Sequence, residues 1–384
     1  MKLAVTTLVF CVAALLALGM VMLYSASMAQ VGAHYLVKQL LAGLVGLALC
    51  AGAAWLDYRR LKTMVWPLFA LAILLLLLVF VPHIGITRNG ASRWLGHNKT
   101  TLFQPSEFAK LVLLIALAWY GERYQRQMPT WKRGIIFPGL LILPILGLIF
   151  KEPDVGNALL LGTVSFIVLL TAGIRLRYAL PPVLLAIIGV AIFIHQNQMR
   201  SKRIYAWLHV EETRREKGLQ AYEAMVALGH GGVGGVGLGD GRQKLGFIPE
   251  HHTDFIFSII GEELGVIATL LVVAAFLGVV VCGVCIAVHS SDTFGLLLGT
   301  GITFLIGLQA FINVGVVTSA LPNKGLPLPF ISFGGSNLMM MLLCVGVLLS
   351  IARFAGAHES LATAIRSDDD LRDTNPFRRS QCAA

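Results

Sequence analysis

Charged side chains are few in this 384-residue chain, and several of them stand against apolar runs where a charge needs a reason. Asp254 opens a long apolar stretch, with Ser258 and Glu262 following at i+4 and i+8 on one face of a helix. Eight residues rise about 12 Å, so Glu262 lies well below Asp254 rather than beside it. One reading is a helix cap with a polar stripe turned into a bundle. The other is a half-desolvated carboxylate at a membrane edge, suited to general-base work. A second group is Gln104-Pro105-Ser106-Glu107, which opens a helix and sets Lys110 one turn in as an i,i+3 partner of Glu107. Either Lys110 reaches along its stem toward water, or its ammonium meets an anion, since a charge inside a short span is costly.

The third group is the segment 321–337, with Pro322, Pro327 and Pro329 and with Gly325, Gly334 and Gly335. It cannot be plain helix. It reads as a surface loop or as a cavity-lining segment, which membranes tolerate only where protein or water covers the backbone. Lys324 and the amides near Gly334 and Gly335 would suit an anion. Other patterns are weaker. The glycine-rich stretch 229–241 has no strand before it, so it reads as a flexible turn rather than a nucleotide loop. His251 and His252 are adjacent and on a helix would point about 100° apart, a poor metal pair. Cys282 and Cys285 form a CxxC inside a hydrophobic run and read as small core residues.

The elements that carry these residues follow from composition. Hydrophobic residues make up 57% of the chain and charged residues 13%, with mean hydropathy +0.78. A soluble domain carries about 25% charge, so so few charges could not cover the surface of a water-soluble fold of this size. The chain is read as an all-α polytopic membrane protein. Ten apolar runs approach the ~20 residues that cross hydrocarbon. They are 5–24, 37–56, 63–82, 107–120, 134–150, 156–173, 178–195, 255–288, 295–320 and 337–351. Each is read as helix, because backbone groups in lipid must be satisfied within the segment. The first run is too long for a signal-peptide core of about 7–15 residues and is expected to stay as a helix.

With the N-terminus inside, the inner loops hold Lys2, Arg59, Arg60, Lys62, Arg123, Arg126, Lys132, Arg133, Arg175, Arg177 and Arg353. The short outer loops hold Arg88, Arg93, Lys99, Lys151 and Lys324. That asymmetry predicts both termini on the cytoplasmic side and the large loop 196–254 outside. The polar tail 357–384 is expected to be disordered. The formal charge of +10 belongs to the loops. No basic-aromatic cluster offers a stacking platform, which excludes nucleic acid.

Several motifs recur together. Lys324-Gly325-Leu326-Pro327-Leu328-Pro329-Phe330-Ile331-Ser332-Phe333-Gly334-Gly335-Ser336 resembles the signature of the shape, elongation, division and sporulation (SEDS) family. So do Gln243-Lys244-Leu245-Gly246 through Asp254 to Gly261-Glu262-Glu263-Leu264-Gly265, Asn89-Gly90-Ala91 with Arg93-Trp94, and Gln104-Pro105-Ser106-Glu107. The resemblance covers most of residues 1–356 and is nearer the division-type branch than the elongation-type branch. It implies a ten-helix glycosyltransferase of the bacterial inner membrane that polymerises lipid II into β-1,4 peptidoglycan strands at the division septum, releasing undecaprenyl diphosphate.

The family's essential aspartate matches Asp254 and its membrane lysine matches Lys110. Substrate contacts are expected at Lys110, Arg93, Glu107, Lys324, Ser332 and Ser336. A class B penicillin-binding transpeptidase and other division proteins are the implied partners. A divalent cation (Mg or Mn) is the one cofactor considered, with no organic cofactor. Asn323, Phe333 and Asn337 depart from the usual threonine, tyrosine and serine, and Leu102 from an arginine of some members. Two other classes use the same residues: a lipid II flippase, which needs a polar path such as Lys110, Glu107 and Glu262, and a non-catalytic division scaffold.

Overall fold

The computed structural model describes the chain except for residues 29–31, 33, 89–90, 98–99, 215–217, 246–252 and 374–384. Asn89, Gly90, Lys99, Gly246, Glu250, His251 and His252 therefore lie outside the described residues. Each of the ten apolar runs forms one helix: α1 (Lys2–Met28), α2 (His34–Trp55), α3 (Val65–Leu78), α4 (Pro105–Arg123), α5 (Phe137–Lys151), α6 (Val155–Thr171), α7 (Leu176–Gln196), α10 (Ile256–Val288), α11 (Thr293–Val317) and α12 (Gly335–Asp373). Among the described residues seven helices are long and apolar enough to cross a bilayer. The helices Val65–Leu78 and Val155–Thr171 are apolar but shorter. α4 is 19 residues long and carries Glu107, Lys110, Glu122 and Arg123 among its apolar residues.

Local chemistry sets the helix ends. Pro105 occupies the first turn of α4, where its missing N–H costs nothing. Asp154 caps α6 by accepting from the Asn157 amide, and Asp292 caps α11 by accepting from Gly295. Burial then sorts the helices. The most apolar windows of α11 and α12 are 67% and 72% buried, whereas that of α7 is 6% buried. α4, α11 and α12 thus form the centre, and α7 turns Leu184, Leu185, Ile187 and Ile188 outward. An apolar surface of that kind is stable in lipid and not in water.

Four features depart from the sequence reading. The loop 83–104 contains a three-stranded antiparallel sheet, β1 (Gly85–Arg88), β2 (Ala91–His97) and β3 (Thr100–Phe103), pairing Ile86 with Trp94 and Leu95 with Phe103. The outer strands span only four residues each, too short to announce themselves by alternation. The large loop 196–254 holds two helices, α8 (Gln198–Leu208) and α9 (Leu219–Gly231). α12 continues to Asp373, into the segment expected to be disordered, through a stretch rich in helix-favouring Ala, Leu, Glu and Arg. Finally, the long eighth run is bent: Gly265 interrupts α10 at φ 78° and ψ −175°.

The two faces of the bundle differ. At the face away from Asp254, the Asp292 carboxylate accepts from Tyr58 Oη at 2.5 Å and from Lys62 Nζ at 2.8 Å. Lys62 also reaches Glu122 at 2.7 Å, and Arg59 stands 3.8 Å from Asp292. This cluster ties the α2–α3 connection to the end of α4 and to the α10–α11 turn. Topology gives the first test. Exposed Glu211, replaced by cysteine, is expected to react with an impermeant thiol reagent in intact cells freed of any outer barrier. Exposed Arg126→Cys, on the opposite face, is expected to react only after lysis. The reverse pattern would invert the orientation.

Candidate active site

The site is built around an ammonium group inside the bundle. Lys110 and Glu107 are 1% and 2% exposed and form an ion pair at 2.8 Å. Lys110 Nζ also donates to Asn157 Oδ1 of α6 at 3.3 Å and to Gln309 Oε1 of α11 at 3.1 Å. Asn337 Nδ2 of α12 donates to Glu107 Oε2 at 2.9 Å. One charge pair therefore joins four helices. A buried charge needs this full set of partners, because its desolvation is offset only by good geometry. Lys110 neither reaches water along its stem nor faces an open surface.

From this centre the amides lead to Asp254. Gln309 Nε2 donates to the Pro327 carbonyl at 2.9 Å. Asn313, one turn along α11, donates through Nδ2 to the carbonyls of Leu326 and Asp254, both at 2.8 Å. The irregular segment 318–334 is thereby held inside the protein: Leu326, Leu328, Phe330 and Ile331 are buried. It is packed inside the protein rather than lying as a surface loop. Its backbone passes so close to Asp254 that a β-carbon on Gly325 would stand 2.6 Å from the Asp254 carboxylate. Any larger residue at 325 would push the Asp254 carboxylate aside. Lys324 is half-buried next to it, and burial holds its ammonium below the ordinary lysine range. Asp254 is partly exposed in a turn and does not cap α10, whose N-cap position is Phe255.

Arg93, on the middle strand, donates Nε to the Glu152 carbonyl at 3.2 Å and Nη2 to the Pro153 carbonyl at 2.7 Å. Its Nη1 lies 3.9 Å from Asp154, whose other bonds go to Asn157. Arg93 is thus tied to the α5–α6 turn, two side chains away from Lys110. Ser332 and Ser336 serve the backbone: their hydroxyls accept from the amides of Leu328 at 2.8 Å and Gln104 at 3.1 Å. The Gly334 amide donates to Gln39 Oε1, so the proposed anion cradle there is occupied by a side chain. The structure brings Asp254, Lys324 and the Lys110–Glu107 pair into one connected framework, reaches Arg93 through Asp154, and leaves Ser332 and Ser336 as supports.

Sequence reasoning missed Asn157, Gln309, Asn313 and Asp154. The available signal was a Gln-xxx-Asn pair at 309 and 313 inside an otherwise apolar helix, where buried amides need partners. It also missed Glu152, fully buried in the α5–α6 turn with neither carboxylate oxygen hydrogen-bonded. Burial, reinforced by the negative charge of Asp154 and opposed by Arg93, raises its pKa from 4.5 to about 8.

Residues 6–356 match the family described as "Cell cycle protein", which groups FtsW, RodA and SpoVE. The chain belongs to this family. Curated SEDS relatives include a "Probable peptidoglycan glycosyltransferase FtsW" of Geobacter metallireducens, 40% identical over 345 residues, covering 88% of this chain and 92% of that protein. Stage V sporulation protein E of Bacillus subtilis is 34% identical and covers 89% of this chain and 94% of its own length. Among solved structures, a chain reported under "Structural coordination of polymerization and crosslinking by a peptidoglycan synthase complex" superposes with a TM-score of 0.77 at 30% identity, covering 91% of this chain and 97% of that one. The rod shape determining protein RodA of Thermus thermophilus gives a TM-score of 0.68 at 30% identity, covering 90% and 95%.

Two predictions follow from these buried charges. Lys110→Met leaves Glu107 charged and unpaired, and is expected to cost about 3–5 kcal/mol. Lys110→Met/Glu107→Gln is expected to recover most of that loss, as thermal melts of the detergent-solubilised protein would show. Glu152 has a raised folded-state pKa, so the folded protein holds its proton more tightly than the unfolded chain does. The stability linked to this group is present below pH 4.5 and is lost as pH rises toward about 8. Glu152→Gln is therefore expected to flatten that decline, so its melting temperature exceeds wild type most at pH 8. Parallel pH-dependent melts would disprove the assignment.

Proposed function

We propose that this chain is a peptidoglycan glycosyltransferase that polymerises lipid II into β-1,4 glycan strands at the division septum. The observation that carries the reading is the Asp254 carboxylate, partly exposed and seated against Gly325, the residue that follows half-buried Lys324 in the irregular segment. A carboxylate that can serve as base for a sugar hydroxyl and a segment that carries a cation for a phosphate oxygen thus meet at one end of an apolar bundle. The apolar faces between the helices can take the polyprenyl tails, leaving the headgroups at the Asp254 face. The names of the relatives support the reaction class.

Asp254 accepts the proton of the acceptor sugar's 4-hydroxyl as its oxygen attacks the donor's anomeric carbon. The bond from that carbon to the diphosphate breaks, and its electron pair leaves on polyprenyl diphosphate. Lys324 steadies the charge that develops on the leaving oxygen. Attack from the side opposite the leaving group inverts the anomeric centre, which gives the β linkage. Lys110 and Glu107 act from below by fixing the segment that carries Lys324 and Gly325.

No three His, Cys, Asp or Glu side chains among the described residues converge to hold a metal ion. Magnesium or manganese would need the oxygens of the substrate as further ligands, and no step here is routed through it. The partner proposed is a class B penicillin-binding transpeptidase, supported by the structural relative's place in a complex of polymerization and crosslinking. A flippase would need Glu107, Lys110 and Glu262 to line one path. Glu107 and Lys110 instead bind each other, and Glu262 accepts from the amides of Arg242 and Gln243.

The deciding measurement is gel-resolved glycan product from purified protein with its transpeptidase. Asp254→Asn keeps side-chain size and removes the base. Lipid II is expected to bind, while polymerisation falls at least about 100-fold, the scale of general-base catalysis. Normal polymer from that variant would remove Asp254 from the chemistry.

A further inference from the structure

The break in α10 is a built junction. Beyond Glu263 the helix loses its regular bonding at Gly265, and the glycine-rich segment crosses the gap. Val236 and Gly237 donate to the carbonyls of Glu262 and Glu263 at 3.0 Å each. Val266 and Ile267 donate to the carbonyls of Gly232 and Val233 at 3.0 and 3.4 Å. The crossing is close: a β-carbon on Gly235 would lie 2.2 Å from the Glu263 carbonyl oxygen. The segment read as a flexible turn is in fact packed, and it separates a short half-helix, 256–264, from the rest of α10.

Both carboxylates at the end of that half-helix grip the loop that leads back toward Asp254. Glu262 accepts from the amides of Arg242 at 2.9 Å and Gln243 at 3.2 Å. Glu263 accepts from the Gly239 amide at 3.1 Å and pairs with Lys244 Nζ at 2.6 Å, with both side chains at most 5% exposed. Ser25 of α1 completes the cluster, donating to Glu263 at 2.7 Å and accepting from Lys244 at 3.0 Å. The pair closes a stretch of 20 residues, 244–263, and Asp254 lies at its middle, ten residues from Lys244 and nine from Glu263.

We infer that Lys244, Glu263 and Ser25 form a latch of positioning residues that sets Asp254 against Gly325. The inference rests on the reading of Asp254 as the base. Three points support the role. Regular helical geometry stops at Gly265, so the half-helix relies on side contacts as well as on α10 for its height. The latch is tied to α1, an element outside the closed stretch, and so gives Asp254 an external reference. Burying an ion pair gains little over an apolar contact but specifies one geometry, which is what a catalytic base requires.

The test uses the full-length chain with its transpeptidase and lipid II as substrate. Lys244→Met/Glu263→Gln removes the pair without stranding a charge. Ser25→Ala leaves the pair and removes its tie to α1. Both are expected to keep the wild-type melting temperature and KM. The double variant is expected to lose about 100-fold in kcat, the scale of a misplacement near 1 Å. Ser25→Ala is expected to lose less. Wild-type kcat in both would overturn the latch, and so would a loss that appears only as raised KM or lowered melting temperature. Asp254→Asn is run alongside. If it is inactive while both latch variants turn over normally, the latch alone fails. If it polymerises normally, the base assignment fails and takes the latch with it.

Discussion

An ammonium group cannot rest in a hydrocarbon-solvated bundle unless every one of its donors is met, and the arrangement of the core follows from that demand. Lys110 takes a carboxylate from its own helix, an amide oxygen from α6 and another from α11, while α12 completes the carboxylate. Each of those partners has a second obligation. Gln309 holds Pro327, and Asp154 holds Asn157 while facing Arg93. The most expensive charge in the protein is thus the point to which the irregular segment and the strand-borne arginine are both referred. Asn337 of α12 donates to the Glu107 carboxylate that pairs with Lys110.

The residues proposed for the chemistry sit at the edge of this framework rather than at its centre. Asp254 and Lys324 keep contact with the surface, where a lipid headgroup and water can reach them. The groups that fix them are buried and satisfied. Two supports meet at Asp254 from different directions: Asn313 holds its carbonyl from α11, and the loop beyond it is gripped by Glu262 and Glu263. A partly exposed base held by buried neighbours can meet substrate without losing its position.

The ten helices were legible because length and hydropathy decide them, and Asp254, Glu107 and Lys110 because charges beside apolar runs stand out. The segment around Pro327 was legible as irregular backbone covered by protein, since prolines and glycines forbid a helix there while its side chains are apolar. Other features depended on pairings that spacing does not reveal. The strands of 85–103 are short and become a sheet only by mutual hydrogen bonding. The glycines of 229–241 looked mobile because their partner, the break at Gly265, lies about thirty residues further on, and backbone contact across such a distance leaves no period in the sequence. Lys110 and Ser332 were visible as residues, but not which way their polar atoms turn.

The cluster on Asp292 has a mechanical consequence. It draws together Tyr58, Lys62, Arg59 and, through Lys62, Glu122, so the connections of α2, α3, α4, α10 and α11 are riveted at one face. At the other face the contacts are spread over the irregular segment, the Arg93–Asp154 pair and the Lys244–Glu263 cluster. Were any of these helices to tilt about that cluster, its far end would travel in proportion to the length between, so the Asp254 face would meet the larger share of the movement.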